Sequence, residues 1–212
     1  MGLVIVVRIH AREPNKGVYR MTGKTLTTQR TSELYPVVDD QMYILRCGRN
    51  EPEKLVHYSN MDSVEVWSNT QNPREFKPAG LWVTVEGEDD WKSWCQRENF
   101  QLENLMYAYD VKLNAASKIL RLQSAADIDM FTTQYQSRWQ LSPLHAIDWR
   151  KVASEYSAII IAPYIYQRRH TPQTLWYYPW DCASGCIWDK DAIESIKLRE
   201  VSHEILRSDM AT

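Results

Sequence analysis

Gly80-Leu81-Trp82-Val83-Thr84-Val85, Glu86-Gly87-Glu88-Asp89-Asp90 and Trp91-Lys92-Ser93-Trp94-Cys95 run consecutively. They read as a strand, an acidic turn and a helix. Lys77-Pro78 sets the strand off, because proline restricts the residue before it and punctuates the chain. The aspartates of the turn can cap a helix running from Trp91 to about Asn99, since a carboxylate accepts from the free N–H groups of a first turn. Upstream, Lys54-Leu55-Val56-His57-Tyr58-Ser59 reads as a short strand with a polar end. Downstream, Leu105, Tyr107, Tyr109, Val111 and Leu113 alternate, the signature of a half-buried strand. Residues 118–122 form a further short strand. Ser124 to Tyr135 and Asp148 to Glu155 read as capped helices. Ala158-Ile159-Ile160-Ile161-Ala162 reads as a buried strand stopped by Pro163, and residues 174–178 and 185–188 as two more strands. The tail after Asp189 fits either strand or helix. Strands and helices mixed in this way predict an α+β domain over residues 46–212, preceded by an N-terminal basic β-hairpin elaboration over residues 1–45.

That elaboration carries Arg8, Arg12, Lys16, Arg20, Lys24 and Arg30 against the single acid Glu13 up to residue 30. Its plain reading is a solvated hairpin face; its functional reading is a surface for an anionic target or a partner protein. The whole chain of 212 residues has 25 basic and 27 acidic side chains, a formal net charge of -2. That excludes a general polycation coating nucleic acid, though not a local basic patch. No run of 18 apolar residues is present, and the apolar start Leu3-Val4-Ile5-Val6-Val7 is too short for a signal peptide. A cytoplasmic location without membrane contact is expected. Cys47, Cys95, Cys182 and Cys186 lack the paired spacing of a zinc site, so reduced thiols and no metal are expected. Nine Trp and 12 Tyr stand against three Phe. Such rings combine a flat apolar face with a polar handle, which suits stacking on a planar ligand and equally a Trp/Tyr-rich core or interface.

Three pieces stand in order. The first is His57-Tyr58-Ser59 at a strand end. The second is Gly80-Leu81-Trp82-Val83 with Ser93-Trp94-Cys95 on the following helix. The third is Trp180-Asp181-Cys182-Ala183-Ser184-Gly185-Cys186-Ile187-Trp188-Asp189. Over residues 54 to 198 this set resembles the ADP-ribosyltransferase superfamily, in its diphtheria-toxin and poly(ADP-ribose) polymerase branch. That branch has a strand ending His-Gly-Ser/Thr, a Gly-Ile-Tyr-Phe strand, a helix with Ser and Tyr, and a last strand opened by an acid. Here Tyr58 takes the Gly position, and Trp82 and Trp94 take the two Tyr positions. The resemblance implies a split antiparallel β-sheet with flanking helices. It implies NAD as substrate and transfer of ADP-ribose to an intracellular macromolecule, in a toxin-like or phage-defence role, with an antitoxin protein as a further partner. His57 would orient the ribose, the Tyr58 backbone would bind the carboxamide, and Ser59 and Ser93 would line the site. Trp82 and Trp94 would clamp the nicotinamide.

The physical logic runs beside it. Breaking the nicotinamide–ribose bond makes an oxocarbenium-like sugar, the problem that glycoside cleavage also poses. A strand-borne His can donate to a ribose hydroxyl, two aromatic rings can hold a flat leaving group, and a carboxylate can stabilise developing positive charge. The family's Glu position falls near Ser184. Asp181 is the nearest acid and is taken as the catalytic carboxylate; Asp189 lies at the far end, and Asp181 also reads as a turn residue. Arg46 is assigned to a phosphate of NAD. Arg168 and Arg169, in an expected loop, are assigned to target binding, RNA or DNA being favoured over protein. Two alternatives stay open: a non-catalytic aromatic groove that binds nucleic acid or protein, and an NAD glycohydrolase in which water replaces the acceptor.

Overall fold

The computed structural model describes residues 53–72, 75–87, 89–137 and 146–202. The expected N-terminal hairpin, the boundary at residue 45 and Arg46 lie outside the described residues. The elements in chain order are β1 (Leu55–Ser59), β2 (Leu81–Val85), α1 (Trp91–Glu98), β3 (Tyr107–Leu113), β4 (Ile119–Leu122), α2 (Ala125–Tyr135), α3 (Trp149–Glu155), β5 (Ala158–Ile161), α4 (Tyr166–Arg169), β6 (Ser184–Ile187) and β7 (Ile193–Val201). Short 3-10 turns precede β3, β6 and β7. The class is α+β.

The strands form one seven-stranded mixed sheet in the order β4-β5-β6-β2-β1-β3-β7. Every neighbouring pair is antiparallel except β4 and β5, which run parallel. Three helix starts follow from their caps. The Asp90 side chain accepts from the Ser93 N–H at 2.7 Å, Ser124 accepts from Asp127, and Asp148 accepts from Arg150 and Lys151. One expectation needs correction and one open reading is settled. Residues 174–178 form no strand; Pro172–Tyr177 is a 3-10 helix. Pro172 stands at its first turn, where a fixed φ and a missing N–H are tolerated, and Trp176 and Tyr177 turn fully into the core. Within the tail, Ile193–Val201 resolves as strand, because β7 pairs along β3 from Leu113↔Ile193 to Tyr107↔Val201.

Strand alternation divides the side chains between two faces. Leu55, Val83, Val111, Ile119, Ala158, Ile160 and Ile187 cluster on one. On the other, Leu120, Leu122, Ile159, Ile161 and Cys186 pack against Phe131, Tyr135, Trp149, Trp176, Tyr177 and Trp180. The aromatic content therefore goes largely into this second core. Two glycines permit close approach of strands. A Cβ on Gly80 would lie 2.3 Å from the Ile187 carbonyl oxygen, and one on Gly185 would lie 2.6 Å from that of Ile159.

Candidate functional site

β1, β2 and β6, which carry the three sequence motifs, are neighbours in the sheet. β1 pairs with β3 over five positions, Leu55 to Ser59, but with β2 over only two, Leu55↔Val85 and Val56↔Thr84. Beyond Val56 the two strands part. His57 reaches across this opening, its Nδ1 lying 2.7 Å from the Trp82 carbonyl oxygen. A carbonyl only accepts, so Nδ1 carries the proton. With Nδ1 protonated, the neutral ring presents Nε2 as an acceptor. Burial holds the His57 pKa below the ordinary histidine value, partly offset by the bond to Trp82.

Alternation from the Val56↔Thr84 pair sets the faces around this opening. His57 and Ser59 share a face with Tyr109, whose ring centroid is 6.3 Å from that of His57. Tyr58, Trp82 and Thr84 point to the other face. Ser59 Oγ accepts from the Met61 N–H, holding the turn after β1. The Tyr58 phenol is pushed up to about 12, by burial first and then by Asp90, with Glu86 and Glu200 adding to it against Arg199.

The Trp82 ring has two neighbours. It meets Trp180 edge-on at 4.9 Å, and the Lys77 ammonium sits 4.8 Å above it. Its backbone carbonyl takes the His57 bond. Trp82 thus joins the opening between β1 and β2 to a charged cluster. Trp94 has other company: it stacks on Trp91 at 5.0 Å and 13°, with Phe100 edge-on to both. The two rings of the expected clamp are each packed against different aromatic partners. Ser93 lies in the first turn of α1, its N–H held by Asp90.

The charged cluster is built by the chain between Tyr164 and Cys182 and by the loop before β2. Asp181, with a side chain 8% exposed, accepts from Arg169 Nη2 at 2.6 Å. Burial raises the Asp181 pKa, and Lys77 and Arg169 pull it back. Burial likewise lowers that of Lys77, and Asp181 opposes the change. Both shifts have one cause, the cost of keeping charge in a poorly solvated place. The Lys77 loop is held by Gln71, whose side-chain amide bonds both the N–H and the carbonyl of Ala79, at 2.9 and 2.7 Å. Thr84 ties the parts together: its hydroxyl accepts from Trp91 N–H at 2.8 Å and donates to the Ala183 carbonyl at 2.9 Å.

The arginines assigned to a target are both paired. Arg168 grips Asp129 through Nε and Nη2, at 2.7 and 2.6 Å, and Arg169 holds Asp181. They end a short helix rather than sit in an open loop. Burial pushes the Cys95 and Cys182 thiols up to about 12 and raises Cys186 further, so all three stay protonated at neutral pH and none is poised as a nucleophile. Reading the sequence missed Lys77, Thr84 and Trp180. A Lys before Pro reads as a solvated turn, and only the pairing of β2 with β6 brings it near the Trp180–Asp181 segment. Among the described residues no group of three or more metal-binding side chains gathers, and no helix is long and apolar enough to cross a membrane. No family model, no curated protein and no solved structure matches the chain.

Proposed function

We propose that the protein is an NAD-dependent mono-ADP-ribosyltransferase acting on a macromolecule, nucleic acid being favoured over protein. One observation carries this reading. The three motif strands lie side by side as β6-β2-β1, and the sheet parts between β1 and β2 where His57 and Trp82 meet. The resemblance implies a split antiparallel sheet; the sheet here is one continuous mixed sheet, and the end of β1–β2 pairing after Val56 is the feature that supports the reading. In the reaction the C–N bond between nicotinamide and ribose breaks, and nicotinamide leaves with the bonding pair. The acceptor atom then bonds the ribose C1′ and loses its proton to solvent or a base. Trp82 offers a flat face to the leaving ring. His57 acts from the opposite face of the sheet, as a positioning residue whose Nδ1–H holds the Trp82 carbonyl. Asp181 is the candidate carboxylate for the ribosyl cation, a role that requires it to leave its bond to Arg169 Nη2. Tyr58 on the Trp82 face and Ser59 on the His57 face flank the opening, and Ser93 and Trp94 on α1 are the remaining candidate lining residues.

The test is incubation of the purified chain with NAD labelled in the adenylate moiety and with cell lysate, scored for free nicotinamide and for label retained on macromolecules. Loss of label on nuclease digestion identifies a nucleic-acid acceptor, and loss on protease digestion a protein. Both readouts are expected to fall at least tenfold in His57→Ala and in Trp82→Ala. Nicotinamide release without labelled macromolecule would point to the hydrolase. Absence of both would leave the binding module, which Trp67, Tyr166, Phe76 and Tyr178 favour by being 60%, 55%, 41% and 38% exposed.

A further inference from the structure

Among the described residues four tryptophans are buried: Trp149, Trp176, Trp180 and Trp188. Three indole N–H groups have acceptors. Trp149 donates to the Glu75 carbonyl at 3.1 Å, Trp176 to the Thr132 hydroxyl at 2.8 Å, and Trp188 to the Tyr156 carbonyl at 2.7 Å. Trp180 Nε1 is buried with no partner. So is Arg169 Nε. Buried donors are nearly always satisfied, because one left without an acceptor loses its hydrogen bonds to water with nothing in return. These two belong to one cluster. Trp180 precedes Asp181, which Arg169 grips, and the Trp180 ring meets Trp82 under Lys77.

The charges in this cluster do not cancel. Lys77 and Arg169 are two cations, and Asp181 is the one carboxylate bonded to them or acting on both. One positive charge is left over when all three are ionised. Arg169 uses Nη2 on Asp181 and keeps its side chain 26% exposed. It lies 5.6 Å from the Tyr178 ring, itself at the surface. Arg169 is thus the member of the cluster that reaches the surface, beside Tyr178.

We propose that Lys77, Arg169 and Trp180 form a binding site for a small phosphate-bearing anion. An anion brings acceptor oxygens to orphaned donors and balances the surplus cation. Charge-assisted bonds of that kind are roughly twice as strong as neutral ones. Asp181 has a separate part: it orients Arg169 and keeps the empty cluster from holding two unopposed cations. The site does not depend on NAD being the substrate. The phosphate can come from a dinucleotide or be free in solution.

The test is calorimetric titration of the full chain with sodium pyrophosphate, orthophosphate and ADP-ribose in a phosphate-free buffer at low salt. The expected result is saturable binding that weakens as salt rises. Lys77→Met is expected to lose at least tenfold in affinity, Lys77→Arg to retain most of it, and Trp180→Phe to lose several-fold. Circular dichroism melts check that each variant is folded. Should Lys77→Met fail to fold, quenching of wild-type tryptophan emission by pyrophosphate serves instead, since Trp82 and Trp180 line the cluster. ADP-ribose binding far more tightly than pyrophosphate identifies a nucleotide source, and equal binding of orthophosphate a free anion. No binding of any of the three, or equal affinity in folded Lys77→Met, overturns the site. Phosphate binding without nicotinamide release leaves the site standing and removes the transferase reading. Nicotinamide release with unchanged affinity in Lys77→Met does the reverse.

Discussion

Trp176 and Trp180 are both fully buried and their rings lie 6.3 Å apart, yet they inhabit different chemistry. Trp176 sits among Phe131, Trp149 and Tyr177 and gives its N–H to Thr132, whose hydroxyl donates onward to the Ile128 carbonyl. Every polar group in that chain is matched. Trp180 sits where the aromatic core meets Trp82, Lys77 and the Arg169–Asp181 pair, and its N–H has no acceptor. One region is finished by folding; the other is left with donors to spare. A protein tolerates that cost chiefly where a ligand, a water or an ion completes the set.

The largest effect should come from breaking the finished side. Phe131→Ala removes a ring in contact with Tyr135, Trp149 and Trp176 and should cost about 3–5 kcal/mol in urea unfolding. A loss below about 1 kcal/mol would mean the helices α2 and α3 collapse easily onto the vacancy. Next is Gly80→Ala, which forces the β2 and β6 strands apart at the edge of the charged cluster. It should cost about 1–3 kcal/mol and reduce pyrophosphate affinity. A neutral result would show that the loop before β2 can shift freely.

The comparison itself is sharpened by paired substitutions. Trp176→Phe and Trp180→Phe remove the same atoms, but only the first breaks a hydrogen bond. Trp176→Phe should therefore be the less stable of the two by about 1 kcal/mol in matched denaturant titrations. Equal losses would mean that Trp180 has an acceptor in solution. The smallest effect concerns His57. Its folded pKa is lowered, so the unfolded chain binds a proton first as pH falls. Its share of stability is complete above about pH 6.5 and is lost below it, down to the folded pKa. Melting temperature should fall on acidification through that window, and His57→Gln should flatten that part of the profile.

How much was legible follows the range of the forces. Asp90, Ser124 and Asp148 cap helices by bonding N–H groups two or three residues on, so the helix starts can be read from neighbours in the chain. Alternation along β3 is likewise local, because side chains change face at each residue. The 3-10 helix over Pro172–Tyr177 was misread as a strand, since aromatic and β-branched residues suit either setting and burial of Trp176 and Tyr177 decides between them. The motif residues His57, Tyr58, Trp82 and Asp181 were each visible, but not that Tyr58 shares a face with Trp82 while His57 and Ser59 turn the other way. That depends on the Val56↔Thr84 register.

The sequence by itself determined the α+β class, most strands, three capped helices and the order of the motifs, because hydrophobic period and capping act within a few residues. Only the tertiary structure decided that β1 and β2 part at His57, that Arg169 neutralises Asp181, and that Lys77 stands over Trp82 beside an unpartnered Trp180. Those contacts join residues far apart in the chain. Their energies come from desolvation and charge at close range, which no local pattern of residues records.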